Sequence, residues 1–210
     1  MKPTFLLIIA FSSIINCFGQ TSKEFTVNGH LKTKQEDYRG AIVDFTKAIE
    51  LDPKNDVAYS FRGWSKSIME DYRGAIIDFT KVIEIIPNFA EAYNNRAFAK
   101  TKLKDDQGSM ADYNKAIEID PKYAEAYYGR ANTKGKLQDY QGAIADCTEA
   151  IGIDPKFAKA YLFRGLLKAY LFRGLIKVNF AQKDDGCLDL SKAGELGSAA
   201  AYDAIKEYCQ

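Results

Sequence analysis

The sequence is poor in the residues that build most catalytic and metal-binding sites. Its 210 residues include one histidine, His30, so a histidine-based metal site or charge-relay site has little to be built from. A glycine-rich phosphate-binding loop is also missing. The many aspartates and glutamates fall at repeating positions, which is typical of solvated faces and helix pairing. The sequence therefore predicts a protein that is not an enzyme and that needs neither a metal nor a cofactor.

An excess of charge of either sign is absent as well. The chain has 29 lysines and arginines against 28 aspartates and glutamates, whereas proteins that bind nucleic acid usually carry a basic excess. A neutral chain can still carry a local basic patch, so the balance argues only against a general electrostatic attraction. We therefore expect no nucleic-acid partner.

No stretch of the sequence predicts an integral membrane span. The apolar run from Phe5 to Ile15 is too short to cross a bilayer comfortably. Residues 160–181 form a longer apolar segment, but charges are spread through it, and charges near the centre of a span are costly. These charges are Arg164, Lys168, Arg173 and Lys177.

The beginning of the chain predicts an export signal. Lys2 supplies a positive start, the apolar run follows, and Cys17-Phe18-Gly19 places small residues at the two positions that a signal peptidase reads. Removal of residues 1–19 would make Gln20 the first residue, and the protein would lie outside the cytoplasm, in the periplasm or secreted. Two alternatives remain open: an ordinary buried helix, and a lipoprotein acylated on Cys17.

A repeat of 34 residues dominates the rest of the chain. Four of the five prolines follow one another at this step: Pro53, Pro87, Pro121 and Pro155. Further columns keep the same step, among them Tyr59, Tyr93, Tyr127 and Tyr161; Arg62, Arg96, Arg130 and Arg164; and Asp44, Asp78, Asp112 and Asp146. So many columns in one register indicate a repeat architecture.

The sequence pattern of each repeat unit predicts two helices joined by a turn. In the second unit, residues 58–69 carry small and aromatic side chains at helical spacing, and residues 71–74 are predicted to form the turn. Residues 75–85 then carry an apolar stripe at helical spacing. Pro87 ends this helix because proline cannot continue its hydrogen-bond ladder.

The pattern resembles the tetratricopeptide repeat, which has an aromatic residue, Leu-Gly, Tyr, Ala, Phe and Pro at these offsets. Arg62 stands where the family usually has Leu, and Lys66 stands where it usually has Tyr, and both departures recur in the clear repeats. The second unit matches the pattern at Tyr59, Gly63, Ala75, Phe79 and Pro87.

The resemblance implies an all-α fold, a right-handed α-solenoid of five helical hairpins followed by a C-terminal capping helix. A cap is expected because the last hairpin of such an array otherwise exposes an apolar face. The predicted repeats span residues 22–55, 56–89, 90–123, 124–157 and 158–200, and the predicted cap spans residues 201–209.

The arginine column occupies a position that the family normally buries, and it repeats together with the aspartate column of the neighbouring helix. We interpret the two columns as a ladder of ion pairs along the array; a basic ligand-binding stripe is the alternative. The predicted pairs are Arg62 with Asp78, Arg96 with Asp112, and Arg130 with Asp146.

The fifth repeat contains a tandem duplication, in which residues 160–168 are followed at once by the nearly identical residues 169–177. Nine residues turn a helix by about 900°, a net half turn, so the two copies cannot present the same face. The helix is either lengthened by about 13.5 Å or broken between the copies. The duplication is either a tolerated replication slip or an exposed apolar wedge, through Phe163 or Phe172, that meets a partner.

Three cysteines remain once residues 1–19 are removed. Cys147 replaces the aromatic residue of its column and is predicted to be a buried, inert thiol. Cys187 is expected early in the second helix of the last hairpin, and Cys209 is expected late in the antiparallel cap. Those ends should meet, and an oxidising compartment would then favour a disulfide between them.

Function in this family resides in a groove lined by the first helix of each hairpin. The resemblance implies that the columns of Ser60, Trp64 and Ile68 face the groove. Aromatic, amide and lysine side chains there suit an extended peptide or a short helix, so we expect a protein or peptide partner. The groove candidates are Trp64, Asn94, Phe98, Lys102, Tyr128, Asn132 and Lys136.

Two functions fit these features. The first is a non-catalytic scaffold that binds proteins or peptides outside the cytoplasm. The second is a fixed structural component of a cell-envelope assembly, in which the duplicated helix and the cap would be the contact surfaces.

Overall fold

A computed structural model describes residues 21–175 and 180–209, with side chains described outside residues 168–183. These residues form eleven α-helices and no strand, and the helices pair into consecutive hairpins, which confirms the predicted all-α solenoid. The export signal predicted for residues 1–19 lies outside the described residues. The helices are α1 (Ser22–Lys34), α2 (Tyr38–Leu51), α3 (Asp56–Ile68), α4 (Tyr72–Ile85), α5 (Ala90–Lys102), α6 (Asp106–Ile119), α7 (Ala124–Lys136), α8 (Tyr140–Ile153), α9 (Ala158–Leu175), α10 (Phe180–Glu195) and α11 (Ala199–Tyr208).

An aspartate caps the second helix of each of the first four hairpins. The Asp71 carboxylate accepts a hydrogen bond from the Gly74 amide at 2.9 Å, and a Cβ at Gly74 would overlap that carboxylate. The prediction that residues 71–74 form the turn was therefore wrong, because Asp71 caps α4 and residues 72–74 lie in its first turn. The chain reverses one residue earlier, at Glu70, whose φ is 63°. The same cap recurs at Asp37, Asp105 and Asp139.

The core of the second hairpin is one large side chain packed against a small one. Phe79 is 1% exposed, and its ring lies 3.0 Å from where a Cβ would stand on Gly63. Cys147 is smaller than the phenylalanine that it replaces, and side chains of the next hairpin, Leu167 and Phe163, pack against its cluster. Burial raises the pKa of the Cys147 thiol to about 12, so the thiol is protonated at neutral pH.

The first helix of the fifth hairpin is lengthened rather than broken between the two copies. Helix α9 has 18 residues, whereas α3, α5 and α7 each have 13. It contains the whole first copy and continues to Leu175 in the second. The proposed wedge at Phe172 falls among the side chains outside the description, while Phe163 packs against the Cys147 cluster.

Helix α11 caps the last hairpin. Gly197, with a φ of 91°, ends α10, and Ser198 then adopts an extended backbone, so α11 begins at Ala199 rather than at residue 201 as predicted. Ala201 on its inner face is fully buried. Across residues 21–175 and 180–209, no helix is both long and apolar enough to span a membrane.

A disulfide fastens this cap. Cys187 and Cys209 are bonded, with their Cα atoms 5.8 Å apart. Cys187 lies in the middle of α10 and not near its start as expected, because α10 begins already at Phe180. The bond therefore ties the end of the cap to the centre of the helix beneath it.

Candidate binding groove

Three adjoining cavities form a groove along the first helices of the hairpins. The first, of about 490 Å³, lies between α1, α3 and α5; the second, of about 330 Å³, adjoins it; and the third, of about 440 Å³, lies between α5 and α7. The first two cavities share Trp64, the last two share Phe98, and Asn95 lines all three. The cavities therefore form one continuous surface, called the groove below.

All seven groove candidates line this surface. Trp64 stands between the first and second cavities, and its ring packs edge-on against Tyr38 with centroids 5.7 Å apart. The other six share the third cavity: Asn94, Phe98, Lys102, Tyr128, Asn132 and Lys136.

The sequence analysis missed several lining residues. His30 lies 34 residues before Trp64, in the column that also holds Phe98, so the repeat itself carried the signal. Phe61 and Asn95 belong to the column three residues earlier, which the resemblance did not assign to the groove. They line cavities that lie between neighbouring hairpins.

The first cavity is largely apolar. Trp64 is 41% exposed, and Val57 is 44% exposed beside it. The His30 ring stands edge-on to Phe61 with centroids 4.8 Å apart, and its Nδ1 atom is buried without a hydrogen-bond partner in the described part of the chain.

The third cavity combines amides with two lysines. Lys102 Nζ lies 5.3 Å from the centre of the Phe98 ring, a cation–π contact that holds the ammonium over the groove. The Asn132 side-chain amide donates to the Tyr128 carbonyl at 3.0 Å, which leaves its oxygen available as an acceptor. Lys136 is exposed at the other side. This end of the groove suits a backbone together with an acidic group.

The arginine and aspartate columns meet beneath the groove. Arg62 donates through Nε and Nη2 to the two carboxylate oxygens of Asp78 at 3.0 and 2.6 Å. The same two-pronged contact joins Arg96 to Asp112, Arg130 to Asp146, and Arg164 to Asp189. Asp78 is fully buried, and the four arginine side chains are only 13–18% exposed. The arginines thus face the helix contacts instead of forming an open basic stripe.

Each pair belongs to a larger network that crosses between hairpins. Lys66 Nζ also lies 2.8 Å from the Asp78 carboxylate, so one aspartate holds two cations. Arg62 Nη1 donates to the Thr46 hydroxyl of the preceding hairpin at 3.1 Å. Lys100 and Lys134 repeat the first contact. Arg96 and Arg164 repeat the second with Thr80 and Thr148, whereas Arg130 Nη1 donates to the Asn114 side-chain oxygen at 2.7 Å. The ladder therefore ties each hairpin to the one before it, and this in turn fixes the spacing of the first helices along the groove.

One arginine–aspartate pair of the ladder is called a rung below. The first hairpin lacks a full rung. Asn28 stands in the arginine column, and within the described residues Asp44 is paired with Lys32 alone, at 2.6 Å. Within the described residues, no group of three or more histidine, cysteine, aspartate or glutamate side chains could hold a metal ion.

Hairpins stacked at a 34-residue step, with one groove along their first helices, define an α-solenoid repeat protein. Family models agree with this class. One tetratricopeptide repeat model matches residues 29–55, a second matches residues 124–157, and a TPR repeat model matches residues 99–138. The chain therefore contains tetratricopeptide repeats. No curated protein is significantly similar to it in sequence.

Solved structures show the same architecture. The chain is similar to MamA, with 25% identity over 80% of this chain and 93% of that one and a TM-score of 0.67. YrrB, described as a TPR protein with an unusual peptide-binding site, is 19% identical over 94% of this chain and 98% of its own, with a TM-score of 0.65. The first TPR of Spaghetti (RPAP3), bound to the HSP90 peptide SRMEEVD, is 24% identical over 57% and 94%, with a TM-score of 0.55.

Proposed function

We propose that the protein is a non-catalytic scaffold that binds an extended peptide segment of a partner protein in the groove. The observation that carries this proposal is the continuity of three cavities lined by aromatic, amide and lysine side chains. Concave surfaces of this composition suit a peptide, whose backbone meets the amides and whose side chains fill the apolar part. Two similar structures support the proposal, since YrrB has a peptide-binding site and Spaghetti holds an HSP90 peptide.

The two ends of the groove are suited to different side chains of a bound peptide. The first cavity, with Trp64 and Phe61, accepts a large apolar or aromatic residue that leaves water on binding. The third cavity places Lys102 and Lys136 where an aspartate, a glutamate or a terminal carboxylate can be paired. The partner segment therefore carries a large apolar residue at one end and an acidic group at the other.

Trp64 provides a direct test because it is the only tryptophan of the chain. Peptides selected from a displayed library should shift its fluorescence on binding. Trp64→Ala should weaken the same peptides by about 2 kcal/mol, roughly 30-fold, because an exposed aromatic residue at the centre of a groove is a typical hot spot.

Ile77→Ala is the matched control. Ile77 is 62% exposed on α4 and does not line the groove. The affinity of the Ile77→Ala variant for the selected peptides, measured by fluorescence anisotropy of labelled peptide, should equal that of the wild type. Equal loss in both variants, or peptides that bind without changing Trp64 fluorescence, would refute binding in the groove.

We extend the proposal to action outside the cytoplasm. The pattern of residues 1–19 and the pairing of Cys187 with Cys209 are both typical of proteins in an oxidising compartment. Sequencing the N-terminus of the native protein tests this extension, and Gln20 is the expected first residue. An intact Met1 would contradict this extension, and an acylated Cys17 would contradict cleavage before Gln20.

A second candidate function is a fixed part of a cell-envelope assembly, and one observation favours it. Val43, Ile77 and Leu188 occupy the same column of the second helices, allowing for the nine inserted residues, and each is 53–68% exposed. Tight co-purification with a single complex that survives Trp64→Ala but not Ile77→Glu would support this function over peptide capture.

A further inference from the structure

The N-terminal end of the array exposes a face that every later hairpin buries. Thr133 shows what this face normally does, because its hydroxyl lies 3.4 Å from Thr101 and from Ser109, both in the preceding hairpin. The corresponding side chains of the other later hairpins are also at most 6% exposed: Ser65, Ala99 and Leu167. Leu31 occupies this column in the first hairpin and is 50% exposed. An apolar contact surface is therefore open on α1.

This open surface is a narrow stripe with opposite charges at its ends. Glu24, Val27, Leu31 and Lys34 follow one another at steps of three, four and three, so they fall within an arc of about 80° on a helix with 100° per residue. All four side chains are exposed, and Val27 is 51% exposed. The acidic end lies in the first turn of α1, and the basic end lies in its last turn.

The other end of the array does not offer a surface that stacks on this stripe. Helix α11 covers α10, and the disulfide from Cys187 to Cys209 holds it there. Glu24 also stands where the later hairpins have a buried alanine, such as Ala58 or Ala92, so a further hairpin in regular register would bury its carboxylate. A partner must instead present an apolar centre together with a base opposite Glu24 and an acid opposite Lys34.

A second copy of the stripe meets both requirements. We propose that two copies of the chain associate through α1, antiparallel about a two-fold axis between Val27 and Leu31. Each Val27 then packs against Leu31 of the second copy, and each Glu24 lies opposite Lys34 of the second copy, because both pairs are symmetric about position 29. Lys34 makes no ion pair within the described residues, and Glu24 uses one oxygen in the cap of α1, where it accepts from the Thr21 amide at 2.8 Å. Such an isologous contact closes on itself and gives a dimer, not a filament.

The contact area of one helix face is small, so the dimer is weak and its population depends on concentration. Sedimentation velocity of the chain, in the form that the cell accumulates, should show a shift from monomer to dimer as its concentration rises. Leu31→Glu should raise the dissociation constant at least about tenfold, because the substitution enters the contact twice. Val43→Glu, at a similarly exposed site of the same hairpin, should leave the constant unchanged.

Charge reversal tests the antiparallel pairing itself. Glu24→Lys alone and Lys34→Glu alone should each be monomeric, since each places like charges opposite one another. An equimolar mixture of the two variants should form heterodimers, because all four facing charges are then opposite. Circular dichroism of each variant checks that α1 is still folded, since Glu24→Lys also removes the hydrogen bond to Thr21. The proposal would be overturned if the wild type stays monomeric at all concentrations. It would also be overturned if the mixture stays monomeric although both variants fold, or if retained residues 1–19 cover this face of α1.

Discussion

Replacing Asp78 by leucine is expected to lower the free energy of unfolding by about 3–5 kcal/mol, the usual cost of removing one partner of a buried ion pair. The loss is large because Asp78 is fully buried and holds both Arg62 and Lys66. Without it, two cations remain at a helix contact where each is less than one-fifth exposed. Urea unfolding followed by circular dichroism measures the change.

Removing the arginine should cost less than removing the aspartate. In Arg62→Leu the Asp78 carboxylate keeps Lys66, so we expect a loss of about 1–3 kcal/mol. The double variant should lose less than the sum of the two single losses, because once Asp78 is replaced the change at Arg62 removes a charge that has lost its carboxylate partner. Additive losses would show that the two columns do not interact.

Glu84→Leu provides a control for the loss of charge alone. Glu84 pairs with Lys81 at the surface of the same helix, α4, at 2.6 Å. An exposed pair of this kind contributes little, so the unfolding midpoint should stay close to that of the wild type.

Breaking the bond between Cys187 and Cys209 should lower stability by about 3 kcal/mol, the value expected when a loop of this length is no longer closed in the unfolded chain. Cys209→Ser should therefore act mainly on the C-terminal end. Hydrogen exchange should become faster in α11 and in the second half of α10, while α3 to α8 keep their protection. Uniform acceleration along the whole array would contradict this local role of the bond.

Alkylation gives a second measurement of the same bond. Cys147 is fully buried, and burial raises the pKa of its thiol to about 12. Iodoacetamide at pH 8 should thus leave all three cysteines of the described residues unmodified in the folded protein. In Cys209→Ser, iodoacetamide should modify Cys187 alone. The variant with both Cys187→Ser and Cys209→Ser should have the same free energy of unfolding as Cys209→Ser. Modification of Cys187 in the wild type would show that the bond is absent.

The repeat pattern predicted the helices well because it reports the contacts inside a hairpin. Arg62 and Asp78 recur together since they touch within one unit, and the columns alone were enough to pair them. Contacts between units were harder to predict. The hydrogen bond from Arg62 to Thr46 and the packing of Phe163 near Cys147 depend on how one hairpin lies on the next.

The groove was predicted incompletely for the same reason. The column of Trp64 lines the groove in the first four hairpins. Phe61 and Asn95, three residues earlier in their helices, line it as well, because the cavities lie between neighbouring hairpins. The start of α4 was misplaced because Gly74 was interpreted as a turn residue. Its role is to leave space for the capping Asp71 carboxylate.

The ladder of ion pairs also determines where residues can be inserted into this chain without disturbing the stacking of its hairpins. Arg62 and Asp78 are 16 residues apart, whereas Arg164 and Asp189 are 25 residues apart, and the difference is the nine copied residues. The last rung still closes with distances of 2.9 and 2.7 Å. Because the rung fixes both legs of the hairpin, extra residues between its partners add to the hairpin without shifting the register of its neighbours. The segment between the two partners of a rung is thus a natural insertion site, where evolution has already added residues and where an engineer could graft a binding loop onto the scaffold.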